Sequence, residues 1–313
     1  MRPLILFNPI SGSGRARIVA EQLGSGLESE GLSPTLMETS PGPAADWLSA
    51  PLGEHDALVM VGGDGAVHAT APICAELGVP MLAQPAGTEN LFAREVNGSA
   101  RPLSAKVVAE ILRGGQVRMV DLGMVESLDQ RGETIGEEAM IVMASLGIDA
   151  DVVRDVAARR TGRISRMTYF RPIVMNAFGW RGPRINIRVD GELVVDSRPG
   201  MVVVANSRHY AGRLDPARRA AIDDGALDVL FLPARSALGL VRWSLDIWLG
   251  ARHLRNRRCV YRTGAMIEVA VDGPRTWQVD GDPPACPGLV CGLKIRVQPG
   301  HLPILGPGNP SGQ

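Results

Sequence analysis

The chain has 313 residues, enough for two domains, and its hydrophobic content of 45% excludes an intrinsically disordered protein. Its 33 Lys and Arg residues balance 33 Asp and Glu residues, and a net charge of zero argues against an extended nucleic-acid surface. Because the N-terminal apolar run is too short for a signal peptide and no apolar run reaches about 20 residues, we expect neither secretion nor a transmembrane segment.

The first 115 residues alternate short apolar strands with helices. Each apolar run ends in a loop rich in glycine or proline, and apolar residues at helical spacing follow. This alternation predicts a doubly wound α/β domain over residues 1–115, with a mostly parallel sheet. The predicted strands are residues 4–7, 34–38, 57–61 and 81–83, and the predicted helices are residues 18–27, 44–48, 67–77 and 103–112, the last with a C-cap at Gly114 and Gly115.

After residue 115 the pattern changes to many strands separated by turn signals such as Asp190-Gly191. Two helical segments, near residues 163–178 and 236–254, interrupt them. We therefore predict a β-rich, sandwich-like second domain over residues 116–294 and a disordered tail over 306–313. The predicted strands are residues 117–125, 138–146, 184–195, 200–206, 227–232, 265–271, 276–279 and 293–297.

Four cysteines are scattered along the chain, and none forms a C-x-x-C pair. Their spacing fits neither a zinc site nor a disulfide framework, so reduced thiols are expected. The cysteines therefore favour a cytoplasmic location.

Three polar, glycine-containing loops follow predicted strands of the first domain: residues 8–14, 62–65 and 84–90. Because the carboxyl ends of parallel strands share one edge of a sheet, these loops are expected to line one crevice. Glycine lets backbone N–H groups approach a phosphate closely, and a following helix N-terminus favours the negative charge. Taken singly, each loop is explained equally well as an ordinary turn.

Taken together, these loops resemble the catalytic fold of the diacylglycerol kinase family, which includes bacterial lipid kinases and sphingosine kinases. The resemblance rests on the order and spacing of Asn8-Pro9-Ile10-Ser11-Gly12, Gly62-Gly63-Asp64-Gly65 and Pro85-Ala86-Gly87-Thr88-Glu89-Asn90. It continues through residues 120–123, 145–150, 205–206, 223–228 and 279–282, and so covers nearly the whole chain.

The resemblance implies ATP binding in a crevice between the two domains and a C-terminal segment, about residues 295–305, that returns to the first domain. It implies Mg²⁺ near Ala221, Asp224 and Ala226, a general base at Asp282, and supporting roles for Asp121 and Asp280. The implied nucleotide contacts are Asn8, Pro9, Ile10, Ser11, Gly12, Thr39, Gly62, Gly63, Asp64, Gly65, Ala66, Val67, His68, Thr88 and Asn90.

Four positions depart from the family pattern. Ala66 stands where threonine is usual, His68 where asparagine is usual, and Leu91 where many relatives have aspartate. Asp282 stands where the family has glutamate, which shortens the side chain by about 1.5 Å. These departures motivate an alternative in which the protein binds lipid or nucleotide without catalysing transfer.

The sequence as a whole predicts an ATP-dependent kinase that transfers the γ-phosphoryl group to the hydroxyl of a diacylglycerol-like or sphingoid lipid. The expected partner is a lipid substrate at a membrane surface, the expected location is cytoplasmic and peripheral to the membrane, and a homodimer stays open. An NAD kinase, which shares a Gly-Gly-Asp-Gly loop, is the alternative enzyme.

Two segments bear on membrane contact. An apolar stripe at helical spacing is predicted to pack on the β-rich domain in preference to docking on a bilayer. A basic stretch from Arg154 to Arg184 fits a headgroup-binding surface or a solvated face equally well. The stripe consists of Leu238, Val241, Leu245, Trp248 and Leu249.

Overall fold

In the computed structural model, the chain forms two compact units. The N-terminal unit comprises Met1–Val120 and Gly300–Gln313, and the C-terminal unit comprises Asp121–Pro299. The structure describes residues 1–9, 11–158, 175–177, 179–210, 214–285 and 289–307, without the side chains of residues 12 and 13. The last six residues of the predicted tail, 308–313, lie outside this part of the chain.

The N-terminal unit is an α/β fold in which strands and helices alternate. Strands β1, β2, β3 and β4 run parallel in the order β2-β1-β3-β4, and β14 joins β4 through the pair Ile304 and Met81. Its elements are β1 (Pro3–Phe7), α1 (Arg15–Ser29), β2 (Thr35–Glu38), α2 (Ala44–Gly53), β3 (Ala57–Gly62), α3 (Asp64–Leu77), β4 (Met81–Pro85), α4 (Leu91–Asn97), α5 (Ala105–Gly114) and the C-terminal part of β14 (Val290–Leu305).

The apolar runs of β1, β3 and β4 are buried on both faces of this sheet, which is why they do not alternate with polar residues. Ile5, Val59 and Leu82 belong to one cluster with the buried faces of α1 and α5. Their neighbours Leu4 and Leu58 are buried as well. This is the doubly wound sheet that the sequence predicts, and the strand order reverses direction between β1 and β3.

Helix α4 has no counterpart in the sequence-based prediction. Its first turn is bound by the first residue of α3, because the Asp64 carboxylate accepts the N–H of Phe92 at 3.0 Å. Helix α5, by contrast, carries its signals locally: the Ser104 hydroxyl accepts the N–H of Val107, and Gly115 has a φ of +60° as the predicted C-cap requires.

The C-terminal unit is dominated by antiparallel strands that enclose one apolar core, which includes Val125, Ile187, Phe231, Trp277 and Ile295. Its strand pairs are β8 with β9 and β12, β9 with β7 and β10, β10 with β11, β7 with β13, β12 with β14, and β5 with β6 and β14. The remaining elements are β5 (Val117–Leu128), β6 (Thr134–Met140), β7 (Met143–Leu146), α6 (Ile148–Ala158), β8 (Arg184–Val189), β9 (Glu192–Ala205), β10 (Leu227–Pro233), α7 (Ala237–Trp248), β11 (Val260–Gly264), β12 (Met266–Arg275) and β13 (Trp277–Val279).

Two predicted strands of this unit are each divided in the structure. Residues 184–195 form a hairpin, because Asp190 and Gly191 have φ angles of +49° and +85° and reverse the chain. Residues 138–146 fall into β6 and β7, with a break at Ile141 and Val142. Helix α6 was not predicted, and most of the predicted helix at 163–178 lies outside the described residues.

The apolar stripe on α7 faces away from the unit, contrary to the sequence-based prediction. The helix packs through Leu240, Trp243 and Ile247 instead, while all five residues of the stripe are exposed. Most of the basic stretch between Arg154 and Arg184 lies outside the described residues. Among the described helices, none is long and apolar enough to cross a bilayer.

Candidate functional site

The carboxyl ends of four parallel strands lie level at one edge of the N-terminal sheet. Phe7 of β1 pairs in register with Glu38 of β2 and Val61 of β3, and Val61 pairs with Gln84 of β4. The N–H of Thr39 donates to the Phe7 carbonyl at 2.9 Å. The register therefore brings to one edge the residues that directly follow these positions: Asn8, Thr39, Gly62 and Pro85.

Two of the loops at this edge touch through their glycines. A Cβ atom on Gly87 would lie 2.6 Å from the Cα of Gly63, and one on Gly63 would lie 3.2 Å from the Cα of Gly87. The N–H of Ala86 also donates to the Gly62 carbonyl at 2.8 Å. A side chain at Gly87 would force the loops to shift, and one at Gly63 would be tight against Gly87, so packing favours glycine at both positions.

The side chain of Asn90 holds the second of these loops in shape. Its Oδ1 atom accepts the N–H of Gly87 at 2.9 Å, and its Nδ2 atom donates to the carbonyls of Gly87 and Ala100. The residue is buried and has a φ of +52°, a left-handed conformation that asparagine tolerates. Its polar atoms are thus directed at the protein backbone.

The first turn of α3 starts at this edge with Asp64. One carboxylate oxygen of Asp64 accepts the Phe92 N–H, so this residue ties α3 to α4. Val67 is buried, His68 is half-buried, and Gly65 and Thr88 are exposed. In the first loop the N–H of Ser11 donates to the Asn8 carbonyl at 3.0 Å, and Ile10 lies outside the described residues.

In the C-terminal unit, a second group of predicted residues converges on the break between β6 and β7. The buried Asp280 carboxylate accepts the N–H groups of Ile141, Val142 and Met143 at 2.7–2.9 Å. The Asn206 amide donates to the carbonyls of Asp121 and Ile141, both at 2.9 Å. These contacts provide partners for backbone groups that a continuous strand would pair in its ladder.

Asp280 and Asp282 therefore stand in different environments although only Gly281 separates them. Asp280 and Gly281, with φ angles of +50° and +87°, are the central residues of a tight turn closed by hydrogen bonds between Val279 and Asp282. The turn directs Asp280 into the unit, where it is 6% exposed, and leaves Asp282 half-buried.

A partly buried chain of polar side chains leads to this turn. Tyr210 donates to the Asp149 carboxylate at 2.9 Å, the Ser145 hydroxyl also donates to it, and Gln278 donates to Ser145 Oγ at 2.6 Å. The Oε1 atom of Gln278 then accepts the N–H of Gly281 at 2.8 Å. Nothing in the local sequence around Gln278 indicates this role, because its partners are distant in the chain.

Burial sets the proton affinities in this chain. It raises the pKa of the Asp149 carboxyl above its ordinary range, although the hydrogen bonds from Ser145 and Tyr210 act in the opposite direction. Burial also raises the pKa of the Tyr210 hydroxyl, and the nearby Asp149 charge adds to the increase. Tyr210 therefore remains a hydrogen-bond donor throughout the neutral pH range.

The loop that carries Asp224 is acidic. The N–H of Gly225 donates to Asp121 Oδ2 at 2.7 Å, and the N–H of Ala226 donates to Asp224 Oδ1 at 3.1 Å. Burial, then the nearby charges of Asp228, Asp121 and Asp223, raise the pKa of Asp224. Within the described ranges no three Asp, Glu, His or Cys side chains converge as a metal-binding group, so a cation here would depend on backbone carbonyls as well.

A separate cavity of about 540 Å³ lies in the C-terminal unit. Its wall includes Leu146, Trp180, Arg275 and Thr276, at the ends of β7 and β13. None of the described residues predicted to bind ATP lines it.

Fold and site together define a protein with a doubly wound glycine-loop unit and a β-sandwich-like unit. Residues 2–125 match the family described as "Diacylglycerol kinase catalytic domain", and residues 142–306 match the "YegS C-terminal NAD kinase beta sandwich-like domain". The chain therefore carries a diacylglycerol kinase catalytic domain, as the sequence motifs predict, followed by a C-terminal domain of the YegS type.

Individual relatives align with nearly the whole of this chain. The chain is 29% identical over 308 residues to a protein of Mycobacterium tuberculosis named diacylglycerol kinase, covering 96% of this chain and 94% of that one. A crystal structure titled as a diacylglycerol kinase from Bacillus anthracis superposes with a TM-score of 0.70 at 18% identity, covering 99% and 98% of the two chains. Yeast NADH kinase complexed with NADH superposes with a TM-score of 0.55 at 12% identity, covering 98% and 82%. The two structural matches show a shared fold.

Proposed function

We propose that the protein is an ATP-dependent lipid kinase that transfers the γ-phosphoryl group of ATP to the hydroxyl of a diacylglycerol-like or sphingoid lipid. The observation that carries this proposal is the meeting of glycine-containing loops at one edge of the N-terminal sheet. Membership in the diacylglycerol kinase family, and the relative from Mycobacterium tuberculosis that bears that name, supply the reaction class.

ATP binding is assigned to that sheet edge. Glycine at 62, 63 and 65 leaves the backbone N–H groups at the start of α3 accessible to phosphate oxygens, and the helix dipole favours their negative charge. Ala66 and Val67 lack polar side chains and their N–H groups donate to the Gly63 carbonyl, so they line the site, whereas His68 can offer a ring N–H. For Asn90 we propose a positioning role, because its amide binds the loop that carries Thr88.

The general base is assigned to Asp282. A base must reach the acceptor hydroxyl, and Asp282 is half-buried on a turn, whereas its neighbour Asp280 is buried and bound to three backbone N–H groups. In the proposed reaction the lipid oxygen attacks the γ-phosphorus, the bond to the β–γ bridging oxygen breaks, ADP leaves, and Asp282 accepts the hydroxyl proton.

The loop from Ala221 to Ala226 fits a hard cation in donor type. The Asp224 carboxylate and the backbone carbonyls of Ala221 and Ala226 are oxygen ligands, which Mg²⁺ prefers, and the surrounding acidic residues provide a negative potential. Bound there, the ion would neutralise the acidic loop and hold its backbone. Asp64 and Asp121 are the further carboxylates proposed to support Mg²⁺ or water near the phosphates.

The direct test uses purified protein, labelled ATP, Mg²⁺ and a panel of diacylglycerol and sphingoid lipids in mixed micelles, with NAD in a parallel reaction. We expect label in one class of lipid and none in NAD. Label in NAD alone would support an NAD kinase instead. ATP binding by calorimetry without transfer to any acceptor would support a silent binding protein.

A further inference from the structure

Helix α7 has two apolar faces, and within the described part of the chain only one of them is buried. Leu240, Trp243 and Ile247 are buried, and the Trp243 indole N–H donates to the carbonyl of Pro233 at the end of β10. These contacts fix the helix on the C-terminal unit. The helix is therefore held on the C-terminal unit by its buried face, without the residues of the apolar stripe.

The stripe lies on the opposite side of this helix of 12 residues and is exposed. Leu238 is 78% exposed and Trp248 is 71% exposed. At 3.6 residues per turn, the five side chains of the stripe (Leu238, Val241, Leu245, Trp248 and Leu249) share an arc of about 100°. A contiguous exposed apolar face of this kind marks an interaction surface.

Basic residues flank this face along the chain. Six arginines and one acidic residue, Asp246, occur between positions 235 and 258, although the whole chain has no net charge. After α7 the chain reverses at Gly250 and Ala251 and enters a short 3-10 helix at Arg252–Arg255. All six arginines are exposed: Arg235, Arg242, Arg252, Arg255, Arg257 and Arg258.

We propose that this face of α7 docks the protein on a bilayer that contains anionic lipid. The apolar stripe would enter the boundary between headgroups and acyl chains, with Trp248 at the interface, and the arginines would bind phosphate groups of the headgroups. The positive charge of the six arginines favours an anionic bilayer over a second copy of the chain. At a two-fold interface between two copies, arginines would face arginines. The proposal extends the proposed function by identifying the surface through which a lipid kinase reaches its substrate.

The test measures sedimentation of the full-length protein with phosphatidylcholine vesicles, with or without phosphatidylserine. We expect binding that increases with phosphatidylserine and decreases with salt. Leu238→Gln and Trp248→Gln keep a helix-forming residue at exposed positions, and each should weaken binding about tenfold. Arg242→Gln should weaken it about fivefold on phosphatidylserine vesicles only. The matched control is Leu193→Thr, an exposed leucine on β9 of the same unit, which should bind as the wild type does.

Kinase activity separates failure of this proposal from failure of the proposed function. On a diacylglycerol with six-carbon chains, which dissolves without a bilayer, the α7 variants should phosphorylate at the wild-type rate, and on vesicles they should be slower. Vesicle binding without any lipid phosphorylation would leave the docking surface standing and contradict the kinase assignment. The docking proposal is overturned if α7 variants bind vesicles as the wild type does, or if they convert a dimer to a monomer in sedimentation velocity without losing vesicle binding.

Discussion

Gly87 lies so close to Gly63 that a Cβ atom on Gly87 would stand 2.6 Å from the Gly63 Cα and 2.8 Å from the Asn90 Oδ1 atom. The backbone contact joins two loops that follow neighbouring parallel strands, β3 and β4. The shape of the proposed phosphate-binding edge therefore depends on the absence of two side chains.

Gly87→Ala should destabilise the protein by about 1–3 kcal/mol and weaken ATP binding, because the loops must separate to admit the methyl group. Urea unfolding and calorimetric titration with ATP measure the two effects. Gly53→Ala is the control, since a Cβ atom there meets nothing within 4 Å at the end of α2. That variant should be neutral or slightly more stable. Unchanged ATP affinity in Gly87→Ala would contradict the assigned role of the loop contact.

Asp280→Asn should lower the free energy of unfolding by about 2–3 kcal/mol, because a neutral amide replaces the carboxylate that accepts three backbone N–H groups. Asn also tolerates the positive φ of this turn. Urea denaturation monitored by circular dichroism gives the value. Asp196→Asn, at an exposed position on β9, serves as the control and should unfold like the wild type. If Asp280→Asn does so too, the buried carboxylate does not stabilise the break between β6 and β7.

Gln278→Met should reduce kcat about 10- to 100-fold while leaving the KM for ATP near its wild-type value. The substitution keeps the side-chain length but removes the hydrogen bonds to Ser145 and to the N–H of Gly281, so the turn that carries Asp282 loses a support. Tyr210→Phe removes one bond at the far end of the same chain and should have a smaller effect. Steady-state kinetics on the same lipid substrate compare the two. Equal effects on kcat and KM in Gln278→Met would argue against a positioning role.

Stability should fall as the pH drops below about 6.5, the ordinary pKa of histidine. His253 is fully buried with its Nε2 atom 2.8 Å from the Pro216 carbonyl oxygen, and burial, together with the charge of Arg218, lowers its pKa. The unfolded chain then binds a proton below that pH which the folded chain does not, so acid favours unfolding. Urea unfolding at several pH values from 8 to about 5 should show this slope, and His253→Gln should flatten it. The matched control is His301→Gln, which removes an exposed histidine. A slope unchanged by His253→Gln would assign the acid sensitivity to other groups.

Mg²⁺ should raise the melting temperature of the wild type by about 2–4 °C at neutral pH, and chelation should reverse the increase. The effect should shrink in acid, because the raised pKa of Asp224 lets protons compete with the ion. Asp224→Asn should abolish the stabilisation, while Asp196→Asn should retain it. Full stabilisation of Asp224→Asn by Mg²⁺ would place the cation elsewhere.

The sequence predicted the N-terminal unit well because its signals are local. Apolar runs such as residues 57–61 end in glycine loops, and parallel pairing then brings those loops to one edge. The break between β6 and β7 could not be predicted, since the carboxylate that stabilises it belongs to Asp280, 137 to 139 positions along the chain. The periodicity of α7 was also ambiguous. Two apolar faces occur on one helix, and only tertiary packing decides which of them is buried.

The residues proposed to bind ATP were identified from family motifs, and their hydrogen bonds in the structure indicate what each can contribute. The resemblance implied that Asn90 and Asp64 contact ATP directly, yet Asn90 binds the backbone of its own loop and Asp64 binds the backbone of α4. The contrast between Asp280 and Asp282 likewise depends on a turn that was not predicted, because the sequence indicated these residues only as part of a family motif. The two aspartates are close together in the sequence, and the difference in their burial distinguishes the structural role of Asp280 from the proposed catalytic role of Asp282.

The central claim is that this chain phosphorylates a lipid with Asp282 as the base. The most direct measurement is transfer of labelled phosphate from ATP to lipid by the wild type and by Asp282→Asn, with ATP affinity determined for both and Asp196→Asn as the control. We predict transfer by the wild type and the control, a loss of at least about 100-fold in Asp282→Asn, and the same ATP affinity in all three. Transfer by Asp282→Asn at the wild-type rate, or no transfer to any lipid by wild-type protein that binds ATP, would contradict the account.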